Sequence, residues 1–285
     1  RDLMLGLVGS EMCIRDRQWM AKATLANYQE QELPADQRRS DLDVRIKAIR
    51  TAVDHALAEE GWSRFRYSLA HEELAMFHDE HGTLPVSLLS DGVRAMISLV
   101  ADLAFRCVRL NSFMGLDAPR QTKGIVLIDE VDIHLHPAWQ QRVIRSLRDA
   151  FPEIQFIVTT HSPQVLTTVN HENIRVLRNE FVSNQGTFKT DVVKVSQQTK
   201  GTSSSDALAW VMDIDPIPDE NEARELSDYR ALIQQNLHEQ EQGQRLRQKL
   251  DQHFGVNHPV MLECQRLIRL QDFKRQLPRR NESNA

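Results

Sequence analysis

The feature that most constrains this chain lies between Gly124 and Glu130, where it reads Gly-Ile-Val-Leu-Ile-Asp-Glu. Four consecutive apolar residues, three of them β-branched, form a run too short for an amphipathic helix. They suit a short strand buried on both faces of a parallel sheet. Such a strand needs neighbours, and the sequence offers two. Residues 154–160 (IQFIVTT) read as a second buried strand, and residues 174–177 as a third. Between the first two, Pro137 can open a helix, and Trp139, Val143, Ile144 and Leu147 give it one apolar face. Pro163 can start another short helix. Strand, helix, strand, helix, strand predicts an α/β fold with a parallel sheet and flanking helices.

Upstream, Leu42, Ile46, Ile49, Val53 and Leu57 recur at helical spacing and predict a helix over 36–60, stopped by Gly61. It reads as a surface helix or as part of a helical arm. Phe65, Tyr67 and Leu69 alternate with polar residues as a strand does. Residues 74–78 and 84–88 flank His81-Gly82 as a hairpin. After Gly92, an apolar helix carries Val93, Met96, Ile97, Val100, Leu103, Ala104 and Cys107. Past residue 196 the character changes. Residues 200–205 form a small polar linker, and helices are predicted over 206–212, 219–238, 243–254 and 259–274, with Gly255 and Pro259 as stop and start. The expected division is a helical segment at 18–61, a core lobe at 62–196 and a helical C-terminal domain at 197–285.

Composition narrows the class. The chain is 41% hydrophobic and 26% charged, enough apolar material for a sizeable core. No run approaches the roughly 18 apolar residues a spanning helix needs, so no membrane role is expected. Asp and Glu (40) outnumber Lys and Arg (35), which argues against a chain-wide basic footprint for nucleic acid and leaves only a local patch open. The tail Lys274, Arg275, Arg279 and Arg280 reads as solvated, with a phosphate-backbone contact as the alternative. Cys13, Cys107 and Cys264 are odd in number and far apart, which predicts neither a disulfide frame nor a cysteine metal site. A cytoplasmic location follows as an expectation.

The first residue is Arg, and residues 8–17 (VGSEMCIRDR) resemble translated sequencing adapter. Residues 1–17 are therefore expected to be non-native, with the true N-terminal part missing. The alternative is a short natural strand carrying Leu3, Leu5, Leu7 and Val8.

Four stretches carry chemistry. The strand 124–128 delivers Asp129 and Glu130 to its C-terminal end, where open α/β sheets bind ligands. Mg-nucleotide hydrolysis requires one carboxylate to help hold the metal and another to polarise water. Residues 89–94 (LSDGVR) stand just before a helix. Ser90, the backbone of Asp91 and Gly92, and the helix N-terminus could bind an anion, or Ser90 or Asp91 could be an ordinary N-cap. His134 to Pro137 (HLHP) follow the acids. Residues 159–163 (TTHSP) end a buried strand in His161, placed either to meet a terminal phosphate or water, or to serve as a structural histidine.

In this order and spacing, the four stretches resemble the signature motif, Walker B, D-loop and switch histidine of ABC-type ATPases. The likeness covers residues 62–178. The longer string IDEVDIHLHPAWQQ…QFIVTTHSPQVL is similar to standalone ABC-like AAA-family ATPases, and within these to the PtuA-type ATPases of bacterial Septu and retron anti-phage systems. Segments SSDALAWVMDIDP and LSDYRALI add to that likeness. The resemblance implies a partial ABC-ATPase head, P-loop NTPase-like, plus a C-terminal α-helical domain. It implies ATP and Mg²⁺ as cofactors. Asp129 would coordinate Mg²⁺, Glu130 would be the general base and His161 would sense the γ-phosphate. Ser90, Asp91 and Gly92 would close over a nucleotide bound by another subunit. His134 to Pro137 would lie near the dimer interface, with His136 among the nucleotide contacts. Self-association in an ATP-sandwich dimer or higher oligomer is implied, together with an HNH-type nuclease partner.

Three rival readings compete. A zinc site from His134, His136 and His161 is disfavoured because H-x-H in an extended segment points its rings to opposite sides. An OLD-type nuclease would use Asp213-Ile214-Asp215, but 213–218 reads better as a turn. A RecF- or SMC-like DNA-repair ATPase would need a coiled arm, and 36–60 lacks sustained heptads. One departure from the ABC pattern stands out: no G-x-x-x-x-G-K-[ST] occurs among the 11 glycines. Nor can a Q-loop glutamine be assigned. The phosphate cradle and its lysine are absent from these residues, which agrees with the expected N-terminal truncation. The 285-residue chain alone should therefore bind Mg-ATP weakly or not at all. Micromolar affinity in a calorimetric titration would contradict this.

Overall fold

A computed structural model describes residues 3–7, 12–32, 41–133, 135–182 and 187–276. The chain divides into two compact units, Arg1–Ile214 and Asp215–Ala285.

The first unit opens with β1 (Leu3–Leu7) and α1 (Met12–Gln31). β1 lies within the expected non-native segment 1–17, and α1 runs across position 17. Next comes α2 (Leu42–Leu57), shorter than the expected 36–60 helix and extended by one 3₁₀ turn to Glu60. Gly61 ends it at φ +78, donating its N–H to Ala58 O at 3.1 Å. This left-handed geometry is where glycine is favoured. The face Ala48, Ile49, Ala52, Val53, Ala56 and Leu57 is buried. Asp54 ties α2 to the strand that follows, accepting the Phe65 N–H at 2.7 Å. Burial raises the Asp54 carboxyl above the usual carboxylate range.

Strands β2 (Trp62–Ser68), β3 (Glu73–His78) and β4 (Gly82–Pro85) form an antiparallel sheet in sequence order. It leads to α3 (Asp91–Leu110), whose buried face includes Val93, Met96, Ile97, Val100, Leu103, Ala104 and Cys107. Asp102, buried in this helix, is held by the Nε of Arg106 at 2.8 and 2.9 Å. The short α4 (Ala118–Gln121) precedes β5 (Gly124–Ile128). Helices α5 (Pro137–Gln140) and α6 (Val143–Ala150) connect β5 to β6 (Ile154–Val158), and α7 (Pro163–Leu166) follows.

The parallel sheet has the order β1-β5-β6. Its core face, with Val126, Ile128 and Ile154 buried, joins the apolar faces of α2, α3 and α6 in one cluster. The other face corrects the expectation of strands covered on both sides: Leu127 is 41% exposed and Ile157 49%. Alternation along β5 and β6 sends Leu127 and Ile157 away from the cluster that Val126 and Ile128 enter.

The third strand is a second correction. Residues 174–177 do not extend the parallel sheet. Residues 175–177 open β7 (Arg175–Val182), which pairs antiparallel with β8 (Thr187–Lys194) in a separate two-stranded sheet. The four residues between β7 and β8 suit an antiparallel hairpin, which pairs β7 with its successor in the chain. The alternation of buried Ile174 with exposed Leu177 fits a strand with one wet face.

Residues 199–202 are bound to the first unit. Gly201 N donates to Thr167 O at 2.9 Å, and Thr199 Oγ1 donates to Val169 O at 2.6 Å. Helix α8 (Ser204–Trp210) then starts with a capping box between Ser203 and Asp206. In the second unit, α9 (Asn221–Gln234), α10 (Glu241–Phe254) and α11 (Pro259–Gln276) bury Tyr229, Ile233, Leu250, Met261 and Cys264 together. Among the described residues no helix is long and apolar enough to cross a membrane.

Burial in α3 pushes the Cys107 thiol up to about 11. Reactivity resides in the thiolate. Alkylation of the native chain near neutral pH should therefore leave Cys107 unmodified, while the urea-unfolded chain should be modified there. Peptide mass spectrometry reads both, and native labelling of Cys107 would refute its burial.

Candidate functional site

The site forms where β5 and β6 end side by side. Their parallel register runs to Ile128 opposite Val158. Beyond it, Thr159 N donates to Ile128 O at 3.0 Å, as a regular ladder requires. The return bond is displaced. Thr159 O accepts from Val131 N at 3.0 Å, one residue later than a regular parallel pair would have it. One extra residue is therefore bulged out at the end of β5. Glu130 is that residue, and its φ of +51 lies in the left-handed region. For a glutamate this conformation costs of order 1–3 kcal/mol and persists only where the surroundings enforce it.

Thr159 supplies the enforcement. Its hydroxyl accepts the Glu130 N–H, orphaned by the bulge, at 2.8 Å. The same hydroxyl donates to Asp129 Oδ1 at 2.5 Å. One side chain thus fixes the backbone of the second acid and the carboxylate of the first. Both acids are solvent-exposed. Asp129 Oδ2 has no protein partner among the described residues, so a hard, oxygen-seeking cation such as Mg²⁺ fits there.

His161 is set by its neighbours. Thr160 Oγ1 donates to Asp132 Oδ1 and accepts the Ser162 N–H at 3.0 Å. Ser162 Oγ donates toward Gln140 Oε1 at 2.8 Å and accepts the Val165 N–H at 3.3 Å, capping α7. Gln140 Nε2 in turn donates to Leu135 O at 2.9 Å. The segments 129–140 and 159–165 are therefore stitched together. His161 is exposed and stands in the chain between the tethered Thr160 and Ser162, two residues beyond Thr159.

The other predicted residues lie elsewhere. Ser90 occupies the N-cap position of α3, exposed and without a side-chain capping bond, so the ordinary side-chain cap is not formed. Asp91 is ion-paired with Arg94, and Gly92 is buried in the first helical turn. Among the described residues no hydrogen bond joins Ser90, Asp91 or Gly92 to Asp129, Glu130 or His161. His136 caps α5, its Nδ1 accepting the Ala138 N–H at 3.3 Å. His134 lies outside the described residues. His136 and His161 fall in no common group of metal-ligating side chains among those described. At 213–218 no helix or strand forms, and Asp215 Oδ1 accepts the Ile217 N–H at 2.9 Å, as in a turn. Arg279 and Arg280 lie outside the described residues.

Sequence reasoning missed Thr159, Asp132 and Gln140 as site residues. The threonine carried a signal: a polar β-branched residue ends a buried strand beside a strand that ends in two acids.

The family described as "AAA domain, putative AbiEii toxin, Type IV TA system" matches residues 18–167, just over half of the chain. The chain belongs to this family of AAA ATPase domains. The "Retron Ec83 probable ATPase" of Escherichia coli is 36% identical over 182 residues, 64% of this chain and 31% of that protein. The "Retron Vc95 probable ATPase" of Vibrio cholerae serotype O1 biovar El Tor is 45% identical over 121 residues, 42% of this chain and 22% of that protein. The "Septu protein PtuA" of Bacillus mycoides (strain KBAB4) is 44% identical over 89 residues, 31% of this chain and 12% of that protein. The chain thus spans less than a third of the length of these relatives. Among solved structures, the SMC head domain from Thermotoga maritima aligns with a TM-score of 0.38 at 17% identity, over 67% of this chain and 54% of that one.

Replacing Thr159 with Val removes both hydroxyl bonds and leaves the Glu130 N–H unpaired. The loss should be about 0.5–1.5 kcal/mol in urea unfolding, with Thr159→Ser retaining most of it. Equal stability of the Val and Ser variants would show that the hydroxyl does not hold the bulge.

Proposed function

We propose that this chain contributes the hydrolytic edge of an ATP site in an ABC-type ATPase of a bacterial anti-phage defence system. The observation that carries the proposal is the Thr159 clamp, which holds two acids at the C-terminal end of parallel strands beside an exposed histidine. Asp129 would hold Mg²⁺, directly or through water, and the ion when bound would neutralise charge on phosphate oxygens. Glu130, its backbone immobilised by the bulge, would accept the proton of the attacking water. His161 would contact the terminal phosphate. A glycine-lysine phosphate loop outside these 285 residues would complete the cradle.

Ser90, Asp91 and Gly92 would serve a second copy. Ser90 and Asp91 are exposed at the start of a twenty-residue helix and unlinked to the acids of the same chain, which suits a cap over a nucleotide held by a neighbour. His136, at the start of α5, would lie near that interface and the nucleotide. ATP occupancy would then govern association into a dimer or larger assembly. A separate HNH-type nuclease would be the effector partner, as the likeness of the motifs to Septu and retron ATPases implies.

In the protein carrying its phosphate loop, Glu130→Gln should cut ATP turnover by about 100- to 10,000-fold while leaving an ATP-dependent dimer intact. Steady-state hydrolysis and light scattering read the two effects. Turnover at the parental rate would remove Glu130 as the base.

A further inference from the structure

The tip of the β3–β4 hairpin gathers ligating groups that the nucleotide reading leaves unused. One ligating atom from each of His78, Glu80 and His81 lies within 4.8 Å of the others. We propose that these three residues form a surface site for a borderline divalent metal ion, with Zn²⁺ as the probe.

The hairpin puts them there. β3 and β4 pair as far as His78 opposite Gly82, so Asp79, Glu80 and His81 form a three-residue connection. Gly82 closes it at φ +71, the left-handed position such connections use. His78 is oriented from three sides. Its ring centroid lies 4.8 Å from that of Trp62. Its Nδ1 accepts the Glu80 N–H at 3.1 Å. Its Nε2 faces Gly61, where an added Cβ would stand only 2.8 Å away. The nitrogen turned into the connection is therefore Nδ1. Because Nδ1 accepts a hydrogen bond, it presents the kind of lone pair a metal requires.

His81 stacks on His78 with centroids 4.6 Å apart and planes 21° apart. In-plane lone pairs on nearly parallel rings do not converge on one point. Binding must swing His81, which is exposed and can turn about its side-chain torsions, while Trp62 keeps His78 in place. The hydrogen bond that the Glu80 N–H donates to Nδ1 gives way to the ion. Two imidazoles and one carboxylate suit Zn²⁺ and leave a fourth position to water. Nitrogen donors discriminate against Mg²⁺, so this site and the Asp129 edge draw on different ions.

Zn²⁺ titration of the 285-residue chain by calorimetry, in excess Mg²⁺, tests the proposal. One ion should bind per chain at this hairpin. His81→Ala and Glu80→Gln should each weaken it by at least about tenfold. Metal-free thermal melting of His81→Ala should match the parent, so that the loss reads as a missing ligand. Should that variant fold poorly, Glu80→Gln keeps the connection's backbone and carries the test. Absence of Zn²⁺ binding by the parent, or unchanged affinity in both variants, would overturn the site.

Discussion

A single hydroxyl, on Thr159, holds the functional edge together. Strands β5 and β6 run in register until one extra residue appears at the end of β5, and Glu130 is forced to positive φ with its N–H outside the ladder. An unpaired amide and a strained glutamate would together favour sliding back into regular pairing. Thr159 Oγ1 accepts that amide and donates to Asp129 in the same position. The acids owe their placement to the neighbouring strand as much as to their own.

The rest of the edge is built on the same plan. Polar side chains in the loop after β6 bond to the loop and helix α5 that follow β5, through Thr160 with Asp132 and Ser162 with Gln140. Two loops that would be loose singly are locked by their mutual bonds, which suits a site needing fixed geometry on rigid elements. The helical core beneath supplies the rigidity. Val126 and Ile128 are buried in one cluster with α2, α3 and α6, while Leu127 and Ile157 remain exposed on the opposite face.

The serine-glycine element belongs to a different part of the unit. It follows the antiparallel sheet β2-β3-β4, and within one chain no hydrogen bond ties it to the acids among the described residues. In the proposed function, the exposed Ser90 would serve a site shared between copies. The hairpin tip with His78, Glu80 and His81 lies in that same antiparallel sheet, so nitrogen-rich and oxygen-rich ligand sets occupy separate sheets.

Much was legible in the residues. The apolar run at 125–128, the helical face of α2, the long apolar α3 and the three C-terminal helices followed from periodicity, because side-chain burial repeats with the backbone. The order of Ser90, the Asp129-Glu130 pair and His161 carried the family. Sheet membership was not legible: residues 174–177 have the composition of a buried parallel strand, yet the short connection to β8 made them half of a hairpin. Nor could the local sequence reveal the bulge at Glu130, since it arises only when Val131 and Thr159, 28 positions apart, choose each other as partners. Local pattern determined which segments could be strands or helices. Tertiary structure alone decided which carbonyl each amide would reach, and therefore where the acids point.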